Sequence, residues 1–460
     1  MQKQAVYPQA QSPASVSART IPAGEANAPT TPDATADRRQ RWAWAEASVW
    51  TDRMLAALEN GVRGDVWFSL IDKVWSPENL RSAWAKVRCN KGSAGTDGIT
   101  IEHYQDDEEA NLWWLSEQIR SGAYVPQTIR RSHIPKPDGG RRPLGIPTVR
   151  DRIVQGALRQ VIEPIFEKQF ATHSYGFRPG KGCKDALRRV DRLLKEGFAY
   201  VVDADLKSYF DTIPHDKLLA RVGERITDGR VLKLIEAFLK ANIMEGLEQW
   251  TPTAGAPQGA VLSPLLSNIY LNPLDQLMAA GGEEMVRYAD DFVILCRTRQ
   301  EAESALEAVR AWTAEAGLSL HPQKTRIVNA GAEAFEFLGY RFDRGYKTPR
   351  AKSLLKLRES IRGKTRRGDG RALSIVIDDV NRTLRGWFEY FKHSHRNSLA
   401  RVDPWVRGRL RSLLRRRHHK PGKANGKDHQ RWPNAYFARM GLLSLSEAHR
   451  IASQSMKVAH

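Results

Sequence analysis

Residues Met285–Cys296 read MVRYADDFVILC, with two adjacent aspartates, Asp290 and Asp291, between two apolar runs. Adjacent carboxylates repel, burying charge is costly, and Asp is a poor strand former. The flanking runs EMVRY and FVILC are rich in β-branched and aromatic residues and read as strands. The shortest fold-back between them puts Ala289, Asp290 and Asp291 at the tip of a β-hairpin, with the carboxylates gathered at one sheet edge. Such a tip either leaves its acids in solvent or needs a counter-charge. A divalent cation would offset the repulsion and fix the protonation state.

Asp-Asp occurs at two other places, and neither needs a functional account. Asp106-Asp107 in YQDDEEANLWWL suits the first turn of a helix, where the macrodipole favours negative charge. Asp378-Asp379 in SIVIDDVNRTLRGW follows helical apolar spacing and reads as a solvated face.

A site for hard cations needs further oxygen ligands, and FAYVVDADLKSYFDTIPHDKLL (198–219) offers them. FAYVVDADL reads as a second strand with an acid near its end. DTIPHDKLL opens a helix, with Asp211 as its cap and His215 in its first turn. Asp203, Asp205 and Asp211 all compete for the third place. Asp203 and Asp205 share a strand face, and Asp205 lies nearer the end, where a site can open. Three carboxylates on two adjacent strands holding two Mg²⁺ make a phosphoryl-transfer site, in which positioning and charge neutralisation carry most of the catalysis.

Charge points to the partner. The chain has 460 residues, enough for several structural units, and a net charge of +20. Residues 346–431 hold 25 Lys and Arg against 7 Asp and Glu, so nearly all of the excess lies there. Such a balance favours a polyanion, nucleic acid ahead of an anionic membrane. Arg407, Arg409, Arg411, Arg415, Arg416, Arg417 and Lys420 form a dense run suited to binding RNA phosphates without reading sequence. The nearby Trp387, Phe388, Tyr390 and Phe391 read as core, and His418 and His419 as solvated.

Three distant cysteines, Cys89, Cys183 and Cys296, give neither a disulfide framework nor zinc-ligand spacing, and suit a reducing, intracellular setting. No run of 18 apolar residues and no signal peptide is present, so no membrane partner is expected.

Texture divides the chain into four. Residues 1–40, rich in Ala, Pro, Ser, Thr and Gln, are predicted to be disordered. Residues 41–125 read as a helical extension. It has helical faces shared by Trp42, Trp50 and Leu58 up to Gly61, a Ser-capped helix over 76–88, and a three-glycine loop over 89–100. Residues 126–345 alternate strands and helices and predict an α+β unit. Residues 346–460 predict an all-α basic unit.

These blocks together resemble a reverse transcriptase, and more closely a bacterial group II intron reverse transcriptase/maturase. The resemblance rests on YADD, on DLKSYFD, and on GAPQGAVLSPLLSNIYL (255–271). It extends to NKGSAGTDGIT (90–100), IPKPDGGRRPLGIPTVRDRIVQ (134–155), SYGFRPGKGC (174–183), GLSLHPQKTRIV (317–328), FEFLGYRF (335–342), LRGWFEYF (384–391) and WPNAYFARMGLLSL (432–445). It implies a right-hand polymerase, with fingers and a palm built on antiparallel sheet, followed by a helical thumb or maturase domain.

The roles it implies are these. Asp205, Asp290 and Asp291, with the main-chain carbonyl of Leu206, bind two Mg²⁺. Phe210 stacks under the sugar and selects dNTPs. Lys136 and Arg142 hold the triphosphate, Gln258 lines the nucleotide pocket, and Lys324 protonates pyrophosphate. The implied partners are a group II intron RNA, an RNA template with a DNA primer or target DNA, and dNTPs, within a cytoplasmic, nucleoid-associated ribonucleoprotein. About 15 residues follow GLLSL, without paired cysteines. The DNA-binding and endonuclease region of many relatives is therefore expected to be missing and the primer to come from elsewhere. A domesticated enzyme of host defence or DNA repair and a maturase with a vestigial polymerase are the alternatives.

Overall fold

The computed structural model describes residues 32–135, 140–420 and 422–458. The catalytic-looking blocks lie on a four-stranded sheet made of β3 (Tyr200–Asp205), β6 (Glu284–Tyr288), β7 (Asp291–Cys296) and β8 (Arg326–Asn329), in the order β6-β7-β3-β8 with every pair antiparallel. A second sheet joins the hairpin of β1 (Ile129–Pro135) and β2 (Arg141–Ile146) to β4 (Ile243–Glu245) and β5 (Glu248–Trp250), with β1 and β4 parallel. A third is formed by β9 (Phe335–Phe337), β10 (Tyr340–Asp343) and β11 (Tyr346–Pro349).

Strand periodicity explains why the central sheet is apolar on both faces. Alternate residues point to opposite sides, and here each side has its own core. Val202, Ala204, Phe292, Ile294 and Cys296 pack with the helices Val149–Glu167 and Ser263–Ala280. Val201, Val286, Val293, Leu295 and Val328 pack with the helix Cys183–Lys195 and with Phe335, Phe337 and Phe342. Phe292–Cys296 is therefore buried throughout, the pattern of a covered central strand.

The C-terminal helices Ala351–Lys364, Leu373–Phe391 and Val402–Arg417 enclose a separate cluster of Leu357, Ile361, Val380, Leu384, Leu410 and Leu413. Phe388 and Phe391 are buried and Trp387 and Tyr390 half-buried, so these aromatics are core.

Several sequence expectations change. The predicted disorder over 1–31 lies outside the described residues, but Pro32–Arg41 is a helix. Arg38 binds Glu59 at 2.9 Å and Arg39 donates to the Trp50 carbonyl at 2.8 Å, contacts that composition cannot reveal. The stretch around Trp42 is broken, because Thr51 caps a new helix, Asp52–Asn60, by accepting from Met54 N. Ser76 bonds the Glu78 carboxylate instead of capping its helix. Asp106 ends one helix and Asp107 begins the next, so the pair spans a junction rather than filling a first turn. Asp211 lies within the short helix Tyr209–Thr212 and caps nothing, Pro214 being the residue before the next helix. β11 carries strand structure to Pro349, past the expected start of the helical unit.

The largest correction concerns the arginine run. Arg411 is buried, donates to the Trp432 carbonyl and to Asn434 Oδ1, and lies over the Phe437 ring. Arg409 binds Thr365, Arg415 pairs with Asp428 at 2.9 Å, and Arg417 donates to the Asp369 and Arg371 carbonyls. Arg407 is half-buried, and only Arg416 and Lys420 are exposed. Helical spacing turns a dense run of cations inward as well as outward, so much of it joins helices.

Arg411→Ala should therefore destabilise the protein by about 1–3 kcal/mol, because it strands buried acceptors. Arg416→Ala should stay within ~0.5 kcal/mol of wild type. Urea unfolding of the two variants checks both values.

Candidate active site

The hairpin closes as the sequence suggests, and more tightly. Tyr288 pairs with Asp291, leaving a two-residue turn of Ala289 and Asp290. Asp205 stands directly opposite Asp291 in the β3–β7 register, and Asp203 lies two residues back on the same face. Asp203, Asp205, Asp290 and Asp291 thus come together, from two parts of the chain that are far apart in sequence.

The acidities of Asp203, Asp290 and Asp291 record burial first and crowding second. Burial, then the Asp205 charge, raises Asp290 above the ordinary carboxylate range, against Arg142 and Arg287. Asp291 is pushed up to about 7 by removal from water and by the charges of Asp203, Asp290 and Asp205. Asp203 is pushed up to about 6 by burial, against the attraction of Arg326 at 3.6 Å. The Lys324 ammonium pairs with Asp205 Oδ2. The segment carrying it is tied to β3, with Lys207 N donating to the Ser319 carbonyl and His321 N to the Asp205 carbonyl, at 2.8 and 2.7 Å.

A cavity of about 430 Å³ is lined by Phe210, Gln258, Arg131, Gly145 and Trp250 among others; Asp211 is the one acid in its lining, and the four clustered carboxylates are not part of it. Ala256 N donates to the Phe210 carbonyl at 2.7 Å, and Gly145 N to the Gln258 carbonyl at 2.6 Å. A side chain at Gly259 would collide with the Gly145 carbonyl at 2.5 Å, so glycine lets this loop lie against β2. Phe210 and Gln258 therefore share one wall. Arg142 is on β2, exposed, and its charge is felt at Asp290. Leu206 buries its side chain in the core. Lys136 lies outside the described residues.

Behind the hairpin lies a network that the motif reading missed. Arg287 is fully buried and forms a two-pronged ion pair with Asp275, at 2.7 and 2.5 Å. Its remaining prong reaches Asn268 Oδ1 and the Ala289 carbonyl. Two sequence signals could have found it: a charge inside the apolar strand EMVRY, and an aspartate inside the apolar helix SPLLSNIYLNPLDQLMAA.

Carboxylates gathered at the end of an antiparallel hairpin are the arrangement expected of a nucleic-acid polymerase palm, and the comparisons with known proteins give the same class. Residues 134–342 match the family described as reverse transcriptase (RNA-dependent DNA polymerase), and residues 354–432 match the group II intron maturase-specific domain. The chain belongs to the group II intron reverse transcriptase/maturase family. It is 35% identical over 317 residues to Protein YkfC of Escherichia coli, covering 60% of this chain and 83% of YkfC. To the group II intron-encoded protein LtrA of Lactococcus lactis it is 36% identical over 215 residues, covering 46% of this chain and 36% of LtrA. The chain thus spans about a third of LtrA. Among solved structures, a chain of a partial Cas6-RT-Cas1–Cas2 complex aligns with 54% of this chain and 41% of its own length, at 25% identity and a TM-score of 0.35. Membership of the family implies dependence on a divalent cation and binding of RNA. No helix among the described residues is long and apolar enough to cross a membrane.

The raised acidities carry a signed consequence. A carboxyl that titrates higher when folded stabilises the protein at low pH, and that stability is lost as pH rises through its folded value. In EDTA, the melting temperature should fall between pH 5 and pH 8 as Asp203 and Asp291 ionise near about 6 and about 7. Asp291→Asn should flatten the slope, and an unchanged slope would contradict the assignment.

Proposed function

We propose that the protein is an RNA-directed DNA polymerase that copies group II intron RNA and, as a maturase, helps that RNA fold and splice. The observation that carries this reading is the Asp205–Asp291 register with Asp290 at the adjoining turn. The donor set suits a hard cation, since every side-chain donor is a carboxylate oxygen and burial, then mutual repulsion, raises Asp290 and Asp291. Among the described residues no group of three or more His, Cys, Asp or Glu is already arranged to hold a metal, and the Lys324 ammonium occupies Asp205 Oδ2. Asp205, Asp290 and Asp291, with the Leu206 carbonyl, would hold two Mg²⁺, which when bound lower the pKa of a primer 3′-hydroxyl and neutralise charge on the triphosphate.

The chain's own residues do the rest. Arg142, with Lys136, orients the triphosphate. Phe210 packs under the sugar and excludes a 2′-hydroxyl, so the substrates are dNTPs. Gln258 lines the same wall. Lys324, released from Asp205, faces the departing pyrophosphate and donates a proton to it. The substrate is an RNA template paired with a DNA primer or target DNA, in a ribonucleoprotein of the bacterial cytoplasm and nucleoid.

RNA phosphates meet only part of the run in the sequence, joined by cations from upstream of it. Arg358 and Arg362 stack over Trp405 at 5.7 and 6.0 Å. Arg362 and Arg367 lie close enough to Arg409 to lower its pKa, after burial. With the exposed Arg416 and Lys420, these like charges form the cationic set that RNA phosphates would meet.

Primer extension on an RNA template with Mg²⁺ and dNTPs tests the polymerase. Asp290→Ala should lose at least ~100-fold in rate while intron splicing persists. Wild-type cDNA synthesis by the variant would refute the site. Loss of splicing in a folded variant would refute the separation of the two roles.

A further inference from the structure

The ion pair under the hairpin plays no part in the chemistry just described. Arg287 lies on β6 between Val286 and Tyr288, with a side-chain exposure of 0% against 4% for Asp275. As a source of stability alone such a pair is a poor choice, since an apolar pair of similar volume often serves as well or better. An apolar pair could not, however, hold a carbonyl.

Arg287 holds one that matters. Nε and Nη2 are spent on Asp275, while Nη1 donates to Asn268 Oδ1 at 3.0 Å and to the Ala289 carbonyl at 2.9 Å. Ala289 precedes Asp290 in the two-residue turn, with φ at +60°, in the left-handed region that alanine disfavours. Asn268 also donates to the Gly176 carbonyl at 2.8 Å. Gly176 in turn props the turn from the opposite side, because a Cβ there would stand 2.3 Å from Ala289 N. The segment before it is bonded to the strand, with Tyr175 N donating to the Arg287 carbonyl and Arg287 N to the His173 carbonyl. The turn is gripped by its carbonyl and blocked behind its amide.

We propose that Arg287, with Asp275 and Asn268, is a positioning device that holds the Ala289–Asp290 turn in its strained conformation and so aims the carboxylates of Asp290 and Asp291. This rests on the reading of those two as cation ligands. Repulsion among the carboxylates pushes the turn toward relaxation, and the fork of Arg287 opposes it. Without the fork the donor oxygens diverge, divalent-cation binding weakens and turnover falls, while the duplex-binding surfaces remain intact.

The experiment uses the full chain with Arg287→Lys, Asp275→Asn and Gly176→Ala. Ile162→Val, buried in another helix, serves as a mildly destabilised control. For each, kcat, the half-saturating Mg²⁺ concentration for primer extension and the Kd for an RNA–DNA duplex are measured below the melting temperature. Arg287→Lys and Asp275→Asn should raise half-saturating Mg²⁺ by ~10-fold or more and lower kcat by ~10–100-fold, as residues supporting metal ligands do, with duplex Kd within about twofold of wild type. Gly176→Ala should shift Mg²⁺ dependence in the same direction with the ion pair intact, and Ile162→Val should not. If Arg287→Lys fails to fold, Asp275→Asn decides, since it keeps the shape and removes only the charge. Wild-type Mg²⁺ dependence in folded Asp275→Asn, alongside an inactive Asp290→Ala, overturns the proposal and leaves the reading of the site standing. Full activity in Asp290→Ala overturns that reading itself.

Discussion

Repulsion among Asp203, Asp205, Asp290 and Asp291 is the interaction around which the central sheet is organised. Antiparallel register places Asp205 opposite Asp291, and a two-residue turn adds Asp290. No neighbouring segment could simply dilute that charge, so counter-charges arrive from many directions. Arg326 comes from β8, Lys324 from the segment before it, Arg142 from β2, Arg287 from beneath the hairpin, and the Arg350 charge from the end of β11. The cations lie at various distances, and burial, then like charge, still keeps Asp203, Asp290 and Asp291 titrating high. On the proposed reading a divalent cation would offset the remaining repulsion, which is lodged where the backbone is least able to relax. A non-glycine residue at positive φ costs of order 1–3 kcal/mol and persists only when its surroundings over-determine it. Ala289 meets that condition through Arg287 at its carbonyl and Gly176 at its amide.

The site could be read in the sequence to the extent that it is local. Two strand-like runs around Asp290-Asp291 specify the hairpin, and the acid near the end of VVDAD supplies its partner. Pairing of the two strands follows from their shared burial rather than from any residue in either. What escaped is long-range and polar. Asp211 looked like a cap because only its neighbours were visible, whereas the chain turns twice within a few residues there. Nothing beside Arg287 in the sequence marks its partners, which lie 12 and 19 residues away on a largely apolar helix. Neither periodicity nor motif spacing reports on such a contact. The helix Pro32–Arg41 escaped for the same reason, since its order comes from docking on Trp50 and Glu59 rather than from its own composition.

The thumb shows how a charge count can mislead in detail while remaining right in sum. A dense cationic stretch on a helix must present charge on every face. Arg411 and Arg415 turn inward to join helices, whereas Arg358, Arg362 and Arg367, upstream of that helix, belong to the set proposed to meet RNA. Net charge set the expectation of a polyanionic partner. Placement of individual guanidinium groups decides where that partner meets the protein.

The proposed divalent-cation site at the Asp205–Asp291 register can be mapped directly. Replacing the cation with ferrous iron and initiating hydroxyl-radical cleavage of the backbone does so, because cuts fall next to the bound metal. The account predicts cuts near Leu206 and in the Ala289–Phe292 segment, suppressed by excess Mg²⁺ and lost in Asp205→Asn. Cleavage confined to other segments, or cuts at the hairpin that Mg²⁺ does not suppress, would contradict it.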